Sequence, residues 1–564
     1  MSDPADLLIV GGRVFVAYGP TDPVPFGSDV GPRSVGAANA ISVRDGRIAW
    51  IGGEDEGLRD WRGPTTEVVE AHGGLITAGF DDAHIHVREG ADELDRVDLY
   101  RLGSVERVQA AIAGHAAAAP DAPWVLGKGW LYVAFPGGLP HRDLLDAVVA
   151  DRPAFMGCFD GHTGWANTAA LRLAGIDRQT PDPADGVIDR DPATGEATGV
   201  LKEGAQHLVT RHIPPMTTAA TLDAMRRTIA DLHRAGITAI QEAWVEPENV
   251  ALWRSLLDEG ALRLRTRLAL PMQPAQTLKD WSATLDGYET LVGDLRGGQW
   301  LDAGILKAFA DGVIEARTAA MLDPYVDDSS TGRPEWGAET LDAFAAEADR
   351  RDWQMEIHAI GDAGIRMALD AYERAAVANP ARDRDRRHRV EHIEAITRVD
   401  IPRFARLRVV ASMQPYHADP SPNQLETWAG NIGPERAGRA WSWASIRREG
   451  AIVALGSDWP VVPFDPIIAL NAAVNRQTID GHPAGGWLPS ERLSLPDALA
   501  AYGHGSAFAA FADGRRGTLR VGGDADLVVL DRDILAGGPS SIIGTTVALT
   551  VVGGQVVHRS EALS

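Results

Sequence analysis

The chain has 564 residues, of which 45% are hydrophobic and 23% are charged, a balance typical of a globular protein with a large buried core. Its 78 acidic and 54 basic side chains give a net charge of −24, which argues against nucleic acid or an anionic membrane as a partner. The single cysteine, Cys158, excludes an intramolecular disulfide and any metal site built from several cysteines.

The N-terminal residues lack the basic and long apolar segments of a secretory signal. No stretch approaches the ~18 uninterrupted apolar residues that a membrane helix needs. A chain with one cysteine also fits a reducing compartment. We therefore expect a cytoplasmic protein that binds a small-molecule substrate and neither a membrane nor nucleic acid.

Both ends of the chain show the pattern of antiparallel strands. The pairs Gly11-Gly12, Asp45-Gly46 and Gly553-Gly554 each lie between short runs rich in β-branched residues. Such pairs are hairpin signals. Because the termini of a domain are often close together, we predict one composite β-sandwich built from residues 1–72 and 516–564.

The middle of the chain, residues 73–515, alternates apolar runs with stretches of helical periodicity. Buried apolar strands that alternate with helices indicate a parallel sheet, and eight of them indicate a (β/α)8 barrel. We therefore predict an α/β fold, with an insertion at about 95–215 on the catalytic face of the barrel. The eight runs are 75–86, 237–242, 262–270, 304–311, 354–358, 388–392, 407–414 and 452–458.

The first of these runs contains His84 and His86. Residues two apart in a strand point to the same side, so both imidazoles can face one ion, and neutral imidazole suits zinc. The alternative is two incidental histidines in a loop.

Four later runs carry further ligand-competent side chains. Lys307 within an apolar strand is costly unless its charge is paired or removed; the alternatives are a side chain that reaches the rim or pairs with Asp311. His358 and His392 end two strands, where a hydrogen-bonded structural histidine is the alternative. Asp458 follows the last strand, where it could instead cap a helix. Since barrel active sites lie at the carboxyl ends of the strands, the set predicts a metal centre there.

Eight short segments spread over nearly the whole chain carry a family resemblance. They are GFDDAHIH at 79–86, DGHTGWAN at 160–167, KAFADG at 307–312, RTA at 317–319, IHAIGD at 357–362, HRVEH at 388–392, GSDWP at 456–460 and GGDADL at 522–527. Together they resemble the amidohydrolase superfamily, in the subgroup similar to N-substituted formamide deformylase. The resemblance implies a barrel with a composite β-sandwich and a metal centre at the strand ends.

The resemblance also implies a binuclear centre of two divalent ions, with Zn expected and Mn or Fe as alternatives. The implied ligands are His84, His86 and Asp458 for one ion and His358 and His392 for the other. Lys307, carboxylated by CO2, would bridge the two. Asp458 would take the proton from the activated water and deliver it to the leaving nitrogen. The family further suggests a homodimer.

Other residues are candidates for contacts with the substrate. His162 lies between two glycines of the predicted insertion, where hydrogen bonding within a turn is the alternative. Arg317 could bind a carboxylate or a carbonyl, or pair with a nearby acid. His417 follows the seventh strand. Aromatic side chains near the mouth would suit an apolar or aryl group, with core packing as the alternative: Trp130, Phe135, Trp165, Tyr416 and Trp459.

We therefore expect a metal-dependent hydrolase that cleaves the C–N bond of an amide, such as an N-substituted formamide or an aryl or acyl amide. An ester or lactone hydrolase stays open because the same water attacks these carbonyls. In a mononuclear zinc deaminase a Glu usually stands where this chain has Gly361, and without carboxylation of Lys307 the carboxylates of Glu203 or Glu242 could enter the site. A catalytically inactive binding barrel is the non-enzyme alternative.

Overall fold

The computed structural model describes residues 3–16, 38–100, 102–159, 161, 163–183, 186–274, 276–380 and 385–563. The chain divides into two units, one formed by Met1–Arg88 with Met225–Ser564 and the other by Glu89–Ala224. The segment predicted as an insertion, 95–215, falls inside the second unit. Among the described residues, none of the helices has both the length and the apolarity needed to span a membrane.

The first unit contains the predicted eight-stranded parallel sheet, which is almost closed into a barrel. One barrel strand overlaps each of the eight predicted runs. A backbone hydrogen bond of 2.7 Å from the Asp458 N–H to the His84 carbonyl links the last strand to the first. Barrel strands 1 to 8 are Phe80–Ile85, Ile237–Glu242, Arg265–Pro271, Leu301–Phe309, Gln354–Ala359, Arg389–His392, Val410–Met413 and Val453–Leu455.

The first predicted run, 75–86, is not one strand. Leu75–Ala78 pairs with Leu527–Leu530 in another sheet, and only Phe80–Ile85 enters the barrel. Gly79 stands at the break, where a Cβ atom would lie 2.2 Å from Thr238 Oγ1. The chain can pass this close to strand 2 only because the residue has no side chain.

Strands from both ends of the chain form two further sheets of the first unit. One hydrophobic cluster includes buried residues of both sheets, among them Ile41 and Leu549, as a sandwich requires. The four-stranded sheet has the order Arg47–Gly52, Ala40–Arg44, Leu7–Val10, Glu67–Glu70. The five-stranded sheet has the order Arg13–Val14, Leu75–Ala78, Leu527–Leu530, Val547–Val552, Gln555–Arg559.

Two of the three predicted hairpins are confirmed. Asp45-Gly46 and Gly553-Gly554 join antiparallel neighbours, and both residues of each pair have positive φ. The hairpin predicted at Gly11-Gly12 is wrong because the strands on its two sides belong to different sheets. Here the glycines let the chain cross from one layer of the sandwich to the other.

The second unit has its own six-stranded sheet. Its order is Gly186–Arg190, Ala197–Glu203, Thr163–Ala166, Ala154–Cys158, Val125–Trp130, Val97–Asp98.

The α-helices of the described chain are Glu54–Asp60, Val87–Ala91, Val105–Ala118, Arg142–Asp146, Thr168–Leu173, His207–Thr210, Thr218–Arg234, Val250–Asp258, Leu278–Val292, Ala338–Arg350, Asp362–Ala378, Ile401–Leu407, Ala429–Ala437, Trp443–Arg448, Pro466–Asn475, Leu495–Ala500, Ser506–Ala509 and Ile534–Gly537.

A buried ion pair joins barrel strand 3 to the C-terminal part of the chain. Arg265 Nε and Nη2 donate to the two carboxylate oxygens of Asp526 at 3.0 and 3.1 Å, and both side chains are 2% exposed. The Gly553 N–H donates to the same carboxylate at 2.6 Å. If one partner of such a pair is removed, the other charge stays buried without a counter-charge and without water.

We therefore expect Arg265→Leu to destabilise the barrel unit by about 3 kcal/mol. Arg263→Leu, an exposed position two residues earlier, is the matched control and should change stability by less than about 0.5 kcal/mol. Urea unfolding followed by tryptophan fluorescence measures both. Equal unfolding curves for the two variants would contradict a structural role for the Arg265–Asp526 pair.

Candidate metal centre

Six side chains that the sequence predicts as metal ligands meet at the carboxyl ends of the barrel strands. They are His84, His86, Lys307, His358, His392 and Asp458. Asp458 Oδ1 lies 3.4 Å from His84 Nε2 and 3.2 Å from His86 Nε2. Lys307 Nζ lies 3.3 Å from His84 Nε2, and the rings of His358 and His392 have centroids 4.5 Å apart. Five strands therefore contribute to one cluster.

The orientation of His84 is fixed by a carboxylate for which the sequence analysis proposed no role. His84 Nδ1–H donates to Glu391 Oε2 at 2.7 Å, so the Nε2 lone pair is left for a ligand. Arg389 Nε donates to Glu391 Oε1 at 2.8 Å. Burial opposes ionisation of Glu391, but the charge of Arg389 and the hydrogen bond from His84 lower its pKa to about 2. The sequence offered one signal for this role of Glu391: side chains two apart in a strand point to the same side, so Arg389 and Glu391 lie together.

Asp458 is held as a carboxylate by its histidine neighbours. His417 Nε2 lies 3.2 Å from Asp458 Oδ2, on the side away from His84 and His86. Burial opposes ionisation, yet these three histidines hold the pKa of Asp458 well below its ordinary value. The backbone at Asp458 has φ 66° and that at His392 has φ 71°. Such strain in residues other than glycine is typical of functional sites. No helix begins at Asp458, so the helix-cap alternative is wrong.

The arrangement of donor atoms fits a divalent metal ion. One ligand atom each from His84, His392 and Asp458 lies within 4.8 Å of the others. Nδ1 of His86 and Nδ1 of His392 are buried without a hydrogen-bond partner among the described residues. Burial lowers the pKa of His358 to about 3 and that of His392 well below its ordinary value, so both rings are neutral. Neutral imidazoles with a carboxylate form a donor set that zinc accepts.

Lys307 lies inside the barrel and does not reach solvent. Its side chain is fully buried, its ammonium lies 4.9 Å from the ring centroid of Phe309, and burial lowers its pKa. The alternative of a pair with Asp311 is wrong, because the Asp311 carboxylate accepts the backbone N–H groups of three residues. These are Ala320, Ile360 and Gly361, at 2.8 to 3.0 Å.

The residues predicted to contact the substrate lie in different parts of the structure. His162 lies outside the described residues. Trp130 and Trp165 are buried in the hydrophobic core of the second unit, and their indole N–H groups donate to backbone carbonyls. Arg317 donates to Asn431 and forms an ion pair with Asp328, as the ion-pair alternative expected. Two of the candidates contact predicted ligands: the side chain of His417 contacts Asp458, and the backbone carbonyl of Trp459 accepts the His86 N–H at 2.8 Å.

Glu242, which the sequence analysis considered as an additional ligand, is buried and holds backbone groups in place. Its carboxylate accepts the backbone N–H groups of Val87 and Arg88 at 2.8 and 3.2 Å. The interaction ties barrel strand 2 to the segment that follows strand 1. A carboxylate used in this way has little freedom to turn toward a metal ion.

A cavity of about 320 Å3 opens beside the cluster at the ends of strands 2, 3 and 4. Phe309 is shared with the cluster, since its ring centroid is 5.0 Å from that of His358 and 5.4 Å from that of Trp244. The sequence analysis did not select these aromatic residues. The alternation of side chains in strand 4 could have identified Phe309, because it places Phe309 on the same side as Lys307. The lining residues are Trp244, Met272, Gln273, Pro274, Phe309, Asp311, Glu335 and Trp336.

The chain is similar to known proteins over most of its length. The model of the amidohydrolase family matches residues 67–558. The protein LONG AFTER FAR-RED 3 of Arabidopsis thaliana is 31% identical to this chain, covering 98% of this chain and 92% of its own length. The N-substituted formamide deformylase of Arthrobacter pascens is 28% identical over 88% of this chain and 90% of its own length.

The fold has a counterpart among solved structures. An uncharacterized metal-dependent hydrolase from Pyrococcus horikoshii aligns with a TM-score of 0.72 at 24% identity, over 95% of this chain and 99% of that one. The likeness in three dimensions supports the barrel and its additional sheets. Together with the match of the family model over most of the sequence, it leads to one conclusion: this chain belongs to the amidohydrolase family and is a hydrolase.

Proposed function

We propose that this hydrolase uses a metal-activated water to cleave the C–N bond of an amide, such as an N-substituted formamide or an aryl or acyl amide. The observation that carries the proposal is the convergence of His84, His392 and Asp458 at the carboxyl end of the barrel. A binding barrel without catalysis has no need for a buried, ionised aspartate beside the neutral imidazole of His392.

The proposed centre holds two divalent ions. His84, His86 and Asp458 would hold one and His358 and His392 the other, with Zn, Mn or Fe as the metal. When bound, the ions polarise the substrate carbonyl and lower the pKa of water. Because the Nδ1–H of His84 donates to Glu391, Nε2 of His84 would be the ligand atom. His358 Nε2 donates to the Gly312 carbonyl at 3.2 Å, which leaves Nδ1.

Asp458 is the residue that moves protons. Its Oδ1 faces His84 and His86, and its Oδ2 faces His417. An ionised carboxylate in this position accepts the proton of the attacking water and returns it to the leaving nitrogen. Through its contact with Oδ2, His417 fixes the plane of the carboxylate. His417 is therefore a positioning residue for Asp458.

Lys307 would bridge the ions as a carbamate. Burial disfavours its ammonium, and the free amine attacks the carbon of CO2 to form an N–C bond with release of one proton. The product is an anion with two oxygen atoms, which suits a site between two cations. This change replaces an unfavourable buried positive charge by a ligand.

The cavity favours an apolar substituent on the substrate. Trp244, Met272 and Phe309 line it beside the metal donors, and its volume is sufficient for an aromatic ring.

Gly361 in place of a catalytic Glu argues against a deaminase. Ester or lactone hydrolysis is the second candidate, since the same water attacks those carbonyls. The cytoplasmic location and the homodimer stay predictions from the sequence.

A substrate panel with and without metal tests the proposal. Purified enzyme should hydrolyse members of a set of N-substituted formamides and acyl anilides, lose activity with a chelator and regain it with Zn or Mn. Asp458→Asn should lower kcat by roughly 100-fold or more, since it removes the proton acceptor. Hydrolysis that is unaffected by complete metal removal would contradict the proposal. So would full activity of the Asn variant.

The carbamate predicts a change in mass. Intact-protein mass spectrometry under native conditions at raised bicarbonate should show one added CO2, which is lost on acidification and absent in Lys307→Met. NMR of enzyme incubated with 13C-bicarbonate should give one carbamate resonance in the wild-type protein only. A metal-loaded, active enzyme without this resonance would contradict the bridging role of Lys307.

Glu391→Gln should weaken metal binding while leaving the ligands in place. The amide no longer supplies the negative charge that orients His84 and strengthens it as a donor, so we expect affinity to fall by roughly 10- to 100-fold. Competition with a chromophoric chelator measures the constant. Glu248→Gln, at an exposed position of the short 3-10 helix Pro247–Asn249 after strand 2, is the control. Equal affinities in the two variants would show that Glu391 does not tune the site.

A further inference from the structure

Gln414 is a buried amide that has no use in the mechanism described so far. It follows barrel strand 7 directly, and its side chain is 1% exposed. Neither its side-chain oxygen nor its nitrogen has a hydrogen-bond partner among the described residues. Leaving both ends of a buried amide unpaired is costly, so the group needs a partner that comes from outside the chain.

The strand geometry points this amide toward the metal centre. Ser412, two residues earlier, faces the barrel interior, where its hydroxyl accepts a hydrogen bond from Arg389 Nη2 at 3.1 Å. The backbone at Gln414 is extended, with φ −116° and ψ 99°, so its side chain points to the same side as that of Ser412.

The neighbouring strands fix its height in the barrel. Ser412 is in register with Glu391 on one side and with Ala454 on the other. Gln414 therefore lies one step nearer to the carboxyl ends, between the strand that carries His392 and the strand that leads to Asp458. This is the level at which the predicted metal ligands meet.

A metal ion does not account for the amide. Ions would satisfy the unpartnered nitrogens of His86 and His392, but the NH2 group of Gln414 cannot bind a cation. Zinc-type centres also take imidazole, thiolate and carboxylate donors rather than amides. The missing partner must therefore form hydrogen bonds, and a substrate amide offers both a donor and an acceptor.

We propose, on the basis of the proposed function, that Gln414 is a substrate-binding residue whose side-chain oxygen accepts a hydrogen bond from the N–H of the scissile amide. An ester has an oxygen at the same place and no proton to donate. The Gln414 oxygen would then stay unpaired and would face another lone pair. A site that hydrogen-bonds a substrate N–H rejects the analogue that lacks it, so Gln414 would select amides over esters.

The test compares an amide with its ester analogue. N-benzylformamide has an N–H group where benzyl formate has an oxygen, and the two compounds are otherwise the same. The value of kcat/KM is measured for both. Gln414→Met, similar in volume but apolar, should lower the amide-to-ester ratio by about tenfold or more. Gln414→Glu keeps an acceptor and should retain most of the ratio. Since methionine removes an unpaired buried amide, Tm and bound metal should not fall.

Gln477→Met is the matched control, because the Gln477 amide already donates to the carbonyls of Gly481 and Pro483 at 2.9 Å each. It should leave the ratio unchanged. An unchanged ratio in Gln414→Met, or equal losses on both compounds with a lower Tm or metal content, overturns the inference alone. If the wild-type enzyme hydrolyses neither compound nor any other amide of the panel in a metal-dependent way, the proposed function fails and the inference with it.

Discussion

The interior of the barrel depends on one fully buried guanidinium. Arg389 is 0% exposed and donates to Glu391, to the carbonyl of Ala83 and to Ser412, and it forms an ion pair with Glu356 at 3.2 Å. A charge at this depth is tolerated only when it is paired and hydrogen-bonded. Because Arg389 stabilises the negative charge of Glu391, the Nδ1–H of His84 meets a carboxylate, and His84 presents its other nitrogen to the metal site. The geometry of the ligands thus rests on charge compensation one layer below them.

Much of the site could be predicted from the sequence because parallel strands end at a common edge. Once eight apolar runs are recognised, His84, His358 and His392 must lie at the same end of the barrel, whatever their separation along the chain. The period of two within a strand then places His84 and His86 on one side. These inferences need only the direction of each strand, which is why they agree with the structure.

Other features depend on packing that a strand pattern does not encode. The break at Gly79 follows from a close approach to Thr238, a contact between distant segments. The crossing at Gly11-Gly12 looks like a hairpin in sequence because both uses need glycine. The aromatic cavity is lined by Trp244, Phe309 and Trp336, which come from three separate loops and strand ends. Trp130 and Trp165, selected for their position in the sequence, pack in a core instead.

Three residues at these strand ends, His86, His392 and Gln414, carry buried polar atoms without a partner among the described residues, and binding would satisfy them. The strained backbone of His392 and Asp458 lies at the same strand ends. The account therefore requires a metal ion within this cluster, and X-ray diffraction recorded on both sides of the absorption edge of the bound metal tests it most directly. We predict an anomalous peak at about 2.0–2.2 Å from His84 Nε2 and a carboxylate oxygen of Asp458. A fully metal-loaded, active crystal whose anomalous peaks all lie away from these residues would contradict it.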